Sequence, residues 1–294
     1  MRFIQNAGML VTNSSVRSQY FNWKGRKLLT GRAPSIPIPG GSRLYPADRF
    51  NDYVSIAIQH PGEEERRLVD NLFGASGGVF IDVGANVGAM SLLAHGTGRA
   101  SRILAFEPSH RYCEAWHHNM NANQVDNATL VQAAVGDYNG IAEFRVDPRM
   151  PLNGKLNVGQ VHFSTITQKV SMVTLDSVLQ THDPESIALL KIDVEGAEPL
   201  VIRGASEALR SGMVRAILFE FIVEFIEDMG ENPYEFINLI KELGFSLYTI
   251  GRDGSHAELS NDDTCAIVDS RRVTPDAALR PFEGINLVAK YIRR

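Results

Sequence analysis

"FIDVGANVG", residues Phe80–Gly88, is an apolar run that ends in an acid, two glycines and an asparagine. Phe80, Ile81 and Val83 suit a strand covered on both faces, as in a parallel sheet. Asp82 and Asn86 do not belong in a hydrophobic core, because an unpaired buried polar group is costly. Gly84 and Gly88 permit either a tight strand-to-helix turn or the close approach of a ligand to the backbone. The helix that follows carries Met90, Leu92 and Leu93. A strand, a glycine loop and a helix in that order set the pattern for the rest of the chain.

The same rhythm recurs downstream. "RILAFEP" reads as a second strand, followed by the helix-like "HRYCEAWHHNMNAN", and "ATLVQAAVGD" reads as a third. "IALLKIDVEG" is the fourth, with Pro199 placed for the first turn of the next helix. "RAILFEF" is the fifth. Asn232 can then cap a helix that has Pro233 at its first position, an apolar stripe of Phe236, Leu239, Ile240 and Leu243, and Gly244 as its stop. "FSLYTIG" and "NLVAKYIRR" supply two closing strands. Upstream, "EEERRLVDNLF" brings Leu68, Val69, Leu72 and Phe73 to one helical face, with its acids at the end that suits the helix dipole. Strands alternating with helices predict an α/β fold with a mainly parallel sheet covered on both faces.

Two regions depart from that rhythm. Residues 1–58 are expected to form an N-terminal arm or cap, ending near "APSIPIPGGS", whose alternating prolines favour an extended, semi-rigid linker. Such an arm could cross to a partner subunit, so a homodimer is an expectation. "YVSIAIQHPG" alternates like a strand but has no evident place. Residues 59–294 form the main domain, with an insertion at about 140–178 that holds two strand-like pieces around a polar stretch. It either shapes an acceptor site or is an added hairpin.

Composition narrows the classes. The 294 residues are 44% hydrophobic and 21% charged, an ordinary balance for a globular enzyme. A net charge of −5 supplies no global basic field for nucleic acid or anionic lipid, so neither is expected as a partner. Cys113 and Cys265 are the only cysteines, with no metal-knuckle spacing, and read as reduced thiols. The first thirty residues lack the apolar core of a signal peptide, and no stretch reaches the length of a membrane span. A cytoplasmic protein is expected.

Ligands of open α/β sheets bind beyond the carboxyl ends of the strands. Those ends carry Asp82, then Glu107 before Pro108, then Asp193 with Glu195, then Glu220; the third strand runs into Ala133, Ala134 and Val135. A dinucleotide site would show G-x-G-x-x-G, whereas this loop is G-A-N-V-G, and an acid just before it would repel a pyrophosphate. That argues against a nicotinamide-dependent oxidoreductase. Glu107 is placed to accept hydrogen bonds from a ribose diol. The set describes a cationic nucleoside, and S-adenosyl-L-methionine fits.

These stretches carry a resemblance. "FIDVGANVGAMSLLA", "LAFEPSHRYCEAWHHNMNAN", "AAVGD", "VTLDSVL" and "LLKIDVEGAEPLVIRGA" follow one another as they do in the FkbM family of S-adenosylmethionine-dependent methyltransferases, which the chain resembles over roughly residues 60–292. The resemblance implies a Rossmann-like class I methyltransferase sandwich: a mainly parallel seven-stranded sheet whose last strand, here "NLVAKYI", runs antiparallel. It implies that Asp82, Gly84, Asn86 and Gly88 surround the methionine part of the cofactor, that Glu107 holds the ribose hydroxyls, and that the backbone at Ala134 and Val135 meets the adenine. Asp193 would sit near the reacting methyl. Many family members read E-x-H after the fifth strand; here "EFI" follows the alanine-to-leucine run and has no histidine.

The resemblance implies O-methylation of a hydroxyl on a secondary metabolite or sugar, so the acceptor is expected to be a small molecule or glycoside. An amine or amide, including a peptide, is the alternative. A hydroxyl acceptor needs a general base. Asp193 and Glu195 are the candidates, with His162 an outsider. Asp193 and Glu220 could instead hold Mg²⁺, but no third ligand is evident and no metal is assigned. Asp193, Glu195 and Glu198 also read as acids gathered at a helix start; His117 and His118 read as surface residues, and Phe219, Phe221 and Phe225 as core.

Overall fold

The computed structural model describes residues 35–45, 61–147, 150–156, 166–182, 186–250, 256–271 and 285–292. The strand expected in "YVSIAIQHPG" and the outsider His162 lie outside the described residues.

The chain begins with a short hairpin, β1 (Ile36–Pro37) against β2 (Arg43–Leu44). Helix α1 (Glu63–Phe73) follows, and its start is held by the Glu65 carboxylate accepting from the Gly62 amide at 2.7 Å. Then come β3 (Gly78–Val83), α2 (Ala89–Gly96), β4 (Ala100–Phe106), α3 (His110–Ala122), β5 (Ala128–Val131) and β6 (Ala134–Val135). The region near 140–178 contains β7 (Gly140–Asp147), β8 (Met150–Leu156), β9 (Ile166–Val173) and α4 (Leu175–His182). The remainder is β10 (Ile187–Ile192), α5 (Glu198–Gly204), α6 (Ser206–Arg210), β11 (Ala216–Phe221), α7 (Val223–Asp228), α8 (Pro233–Glu242), β12 (Phe245–Ile250), β13 (His256–Glu258), α9 (Asn261–Arg271) and β14 (Ile285–Tyr291).

The main sheet runs β13-β12-β14-β11-β10-β3-β4-β5. Strands β11, β10, β3, β4 and β5 are mutually parallel, and β14 lies antiparallel between β11 and β12. This is the expected seven-stranded arrangement with β13 added as a short edge strand. Both faces are covered, as the unbroken apolar runs require. Phe80 and Leu189 pack with Leu68, Val69 and Phe73 of α1 on one side. Ile81, Leu190, Ile192 and Phe219 pack with Ile202, Phe236 and Ile240 on the other. Burying each such side chain contributes roughly 1.5–3 kcal/mol. Asn232 caps α8, its side-chain oxygen accepting from the Tyr234 amide at 2.9 Å, with Pro233 at the first turn.

Three expectations need correction. "ATLVQAAVGD" is not one strand: Ala128–Val131 pairs with β4, whereas Ala134–Val135 leaves the main sheet and pairs with β9. The insertion holds three strands rather than two, and with β6 they form a second sheet ordered β6-β9-β7-β8. Finally, within "APSIPIPGGS" the described residues, from Ser35 onward, belong to a folded hairpin rather than an extended linker. Ile36, Ile38 and Leu44 are buried against Val87, Leu92 and Trp116 of the main domain. The hairpin backbone is paired by side-chain amides at the C-terminal end of α3: Asn123, its C-cap, accepts from the Arg43 amide and donates to the Arg43 carbonyl, both at 2.7 Å. Asn119 accepts from the Tyr45 amide at 2.8 Å. Residues 35–45 are therefore part of the domain core.

Candidate active site

A cavity opens at the carboxyl ends of β3, β4 and β10, where the crossovers diverge. Its enclosed volume is about 70 Å³, and it opens to solvent at its mouth. Gly84, Asn86, Glu107, Ala134, Val135, Asp193 and Glu195 all line it. Pro108, Tyr112, Phe144 and Leu156 complete much of the wall. Asp82 and Gly88 do not reach it.

Gly84 has φ of 76°, and a side-chain carbon there would overlap the Asp193 carbonyl oxygen. The two strand ends thus approach as closely as backbone allows, and only glycine fits. Asn86 follows at φ 48°, in the left-handed region that asparagine tolerates better than most residues. Its amide donates to Glu107 at 3.0 Å, while its side-chain oxygen is buried without a protein partner. Gly88 serves packing instead: it sits at the start of α2 with φ of 89°, and a side chain would strike Trp116 and Met120.

Glu107 is 5% exposed and accepts from the Asn86 amide at 3.0 Å and the Ser109 amide at 2.8 Å. Burial pushes its carboxyl up to about 7, although those two hydrogen bonds and the Lys191 charge act the other way. Beneath it, burial and the Glu107 charge push the Cys113 thiol up to about 12, so this buried cysteine stays protonated and inert. Cys265 is exposed, and neither cysteine forms a disulfide.

Asp82 is placed otherwise than expected. It is 0% exposed; one oxygen accepts from the Ser91 hydroxyl at 2.6 Å and the other lies 3.2 Å from the Lys191 ammonium. It is a buried counter-ion behind the glycine loop, not part of the cavity wall. Sequence reasoning placed its charge on the ligand side because Lys191, inside the apolar run "IALLKIDVEG", was not recognised as its partner. A lysine within such a buried strand was the available signal.

Asp193, with its side chain 39% exposed, stands 3.6 Å from the same ammonium. Glu195 has φ of 58°, a strained setting for a non-glycine residue and one found often at functional loops. Behind this loop Glu198 accepts from the Val194 amide at 3.0 Å. It is buried, and burial pushes its carboxyl up to about 8. Glu220 is half-buried and does not line the cavity. Among the described residues no group of three His, Cys, Asp or Glu is arranged to hold a metal ion. His117 is exposed, His118 likewise, and Phe219 and Phe221 are core. No helix among the described residues is long and apolar enough to cross a membrane.

The inserted sheet supplies Phe144 and Leu156, which sequence reasoning left out of the site. Among the described residues, the cavity wall carries the acids Glu107, Asp193 and Glu195 and no lysine or arginine. The doubly wound sheet thus opens an acid-lined cavity at its carboxyl edge, where open α/β folds take their ligands.

Comparison with known proteins places it further. The chain belongs to the FkbM methyltransferase family: the profile described as "Methyltransferase FkbM domain" matches residues 82–247, more than half its length. It is 25% identical over 236 residues to methyltransferase sdnD of Sordaria araneosa, covering 69% of this chain and 89% of that one. It is 28% identical over 144 residues to methyltransferase 1 of Beauveria bassiana, covering 43% of this chain and 58% of that one. Among solved structures, the methyltransferase FkbM from Methylobacillus flagellatus superposes with a TM-score of 0.43 at 12% identity, covering 83% of this chain and 56% of that one.

Proposed function

We propose that the cavity binds S-adenosyl-L-methionine and that the enzyme transfers its methyl group to a hydroxyl of a sugar or secondary metabolite. The observation that carries this reading is the wall itself: among the described residues it has three carboxylates and no basic side chain, and one carboxylate, Glu107, is held by two backbone amides at the end of β4. Such a wall suits a cationic nucleoside and repels a pyrophosphate.

The residues fit the cofactor in detail. Two hydrogen bonds fix Glu107 from behind, which leaves its outward lone pairs to accept from two ribose hydroxyls. The unpartnered side-chain oxygen of Asn86 offers a further acceptor, and Gly84 lets the methionine part lie against backbone. Ala134 and Val135, with Leu156 and Phe144 behind them, form an apolar slot for the adenine.

The bound cofactor supplies a methyl group already activated by its sulfonium. The enzyme's own task is alignment and removal of one proton. Asp193 already shares the Lys191 ammonium, so we assign it to orienting the donor end. We assign the acceptor's proton to Glu195, which lines the same cavity from a left-handed backbone position.

The test is incubation with methyl-labelled S-adenosylmethionine and cell extract, followed by mass spectrometry for molecules that gain one CH₂. Wild-type enzyme should label an acceptor, and NMR of the product should show the new methyl on oxygen. Glu195→Gln should abolish labelling while S-adenosylhomocysteine still binds. Unchanged labelling by that variant would remove Glu195 from the role, and a methyl on nitrogen would overturn the hydroxyl assignment.

A further inference from the structure

Lys191 is a lysine in the middle of the main sheet, 6% exposed, and directly opposite Asp82 in the pairing of β10 with β3. A buried ammonium is costly unless fully partnered. This one is surrounded. It lies 3.2 Å from Asp82 and 3.6 Å from Asp193, and it donates to the Gly84 carbonyl at 2.8 Å and toward the Val83 carbonyl at 3.3 Å. Asp82 is fixed in turn by the Ser91 hydroxyl, which accepts from the Trp116 indole at 3.2 Å. A continuous polar chain therefore runs from the hydrophobic seat of the N-terminal hairpin to the cavity wall. Its last two members, Gly84 and Asp193, are cavity residues; Lys191 and Asp82 are not.

A structural counter-ion would need one carboxylate. This lysine instead ties together the two loops that flank the cavity, one after β3 and one after β10. It also cancels the Asp82 charge, so the acids left facing the ligand are Asp193, Glu195 and Glu107.

We propose that Lys191 is a positioning residue for the donor end of the cofactor, fixing the Gly84 peptide and the Asp193 carboxylate where the methionine and sulfonium lie. The inference rests on the reading of the cavity as the S-adenosylmethionine site. It implies that Lys191 acts on the amino-acid end and not on the nucleoside end, which is held by Glu107. Burial opposes the lysine's charge, but the two aspartates outweigh it and raise the ammonium above its ordinary value, so it stays charged throughout.

The test compares two probes, S-adenosylhomocysteine and adenosine, titrated into wild type, Asp82→Asn, Lys191→Met and the double variant, with thermal melting of each. Asp82→Asn should bind both probes within about threefold of wild type, because it touches neither. Lys191→Met strands a buried carboxylate and should melt far lower. The double variant removes both charges and should recover most of that loss. It should bind adenosine nearly as wild type does, yet lose about tenfold or more for S-adenosylhomocysteine. A purely structural lysine would move both probes together or neither. Equal losses, or full S-adenosylhomocysteine affinity in the recovered double variant, would overturn the proposal. Should the double variant stay unstable, Asp193→Asn decides: selective loss of S-adenosylhomocysteine supports the proposal, and unchanged affinity overturns it. Wild-type enzyme that binds neither probe would overturn the reading of the cavity itself, a separate result.

Discussion

The α-carbon of Gly84 rests against the carbonyl of Asp193, so that any side-chain carbon on Gly84 would overlap the Asp193 oxygen. The loops after β3 and β10 are thereby locked together, and the cavity floor depends on that contact. Gly84→Ala should destabilise the fold by about 3 kcal/mol or more, because it adds a backbone clash to the cost of a left-handed alanine. Gly98→Ala is the control: its φ is 69°, with nothing within 4 Å of the added carbon. It should cost only about 1–2 kcal/mol. Urea denaturation of both variants checks the difference.

Glu107 makes stability fall as pH rises, the reverse of the usual paired acid. Its carboxyl is raised from 4.5 to about 7 mainly by burial, with Asp82 adding to the rise and Lys191 opposing it. Across that window the folded protein holds a proton that the unfolded chain has lost. The contribution is complete below 4.5 and is lost as pH climbs through about 7, an effect on the order of 3 kcal/mol. Glu198, raised from 4.5 to about 8, extends the same trend. Denaturation of the ligand-free protein across this range should show the decline, and Glu107→Gln should flatten its lower part.

In the proposed cofactor complex the same group couples binding to a proton. Ribose hydroxyls donating to Glu107 favour the ionised carboxylate. Binding of S-adenosylhomocysteine should therefore release a proton below about 7 and strengthen as pH rises through that value. Calorimetry in two buffers of different ionisation enthalpy measures the proton directly.

Asn119 joins the N-terminal hairpin to the glycine loop. It is fully buried, accepting from the Tyr45 amide and donating to the Val87 carbonyl, both at 2.8 Å. Asn119→Ala leaves both backbone groups without partners and should cost about 2–4 kcal/mol. Asn123→Ala, at an exposed pairing of the same hairpin, should cost about 1 kcal/mol. Thermal melts of the two variants test the ranking.

Most of the architecture was legible because it rests on long apolar runs bounded by turn residues. The parallel strands and the helix cap at Asn232 follow from local pattern, while the reversed last strand was implied by the family resemblance. What stayed hidden depends on partners distant in sequence. Lys191 meets Asp82 only once the crossover between β3 and β10 is made, so an acid that looked ligand-facing is a counter-ion. Asn119 and Asn123 look like ordinary helix residues until a hairpin far upstream needs pairing. The apolar continuity of "ATLVQAAVGD" conceals the switch between sheets at Gln132 and Ala133, and with it the second sheet that brings Phe144 and Leu156 to the cavity. Glu107, Gly84 and Asp193 were readable because each ends a strand, where the fold itself gathers them.

Under the proposed function, Glu107 holds a nucleoside at the end of β4 while Asp82 stays sealed behind the glycine loop. A crystal structure of the enzyme grown with S-adenosylhomocysteine measures both at once. Ribose hydroxyls should lie within hydrogen-bonding distance of the Glu107 carboxylate, with Asp82 still enclosed by Ser91 and Lys191. A nucleoside bound away from Glu107, or Asp82 turned out to contact the ligand, would contradict it.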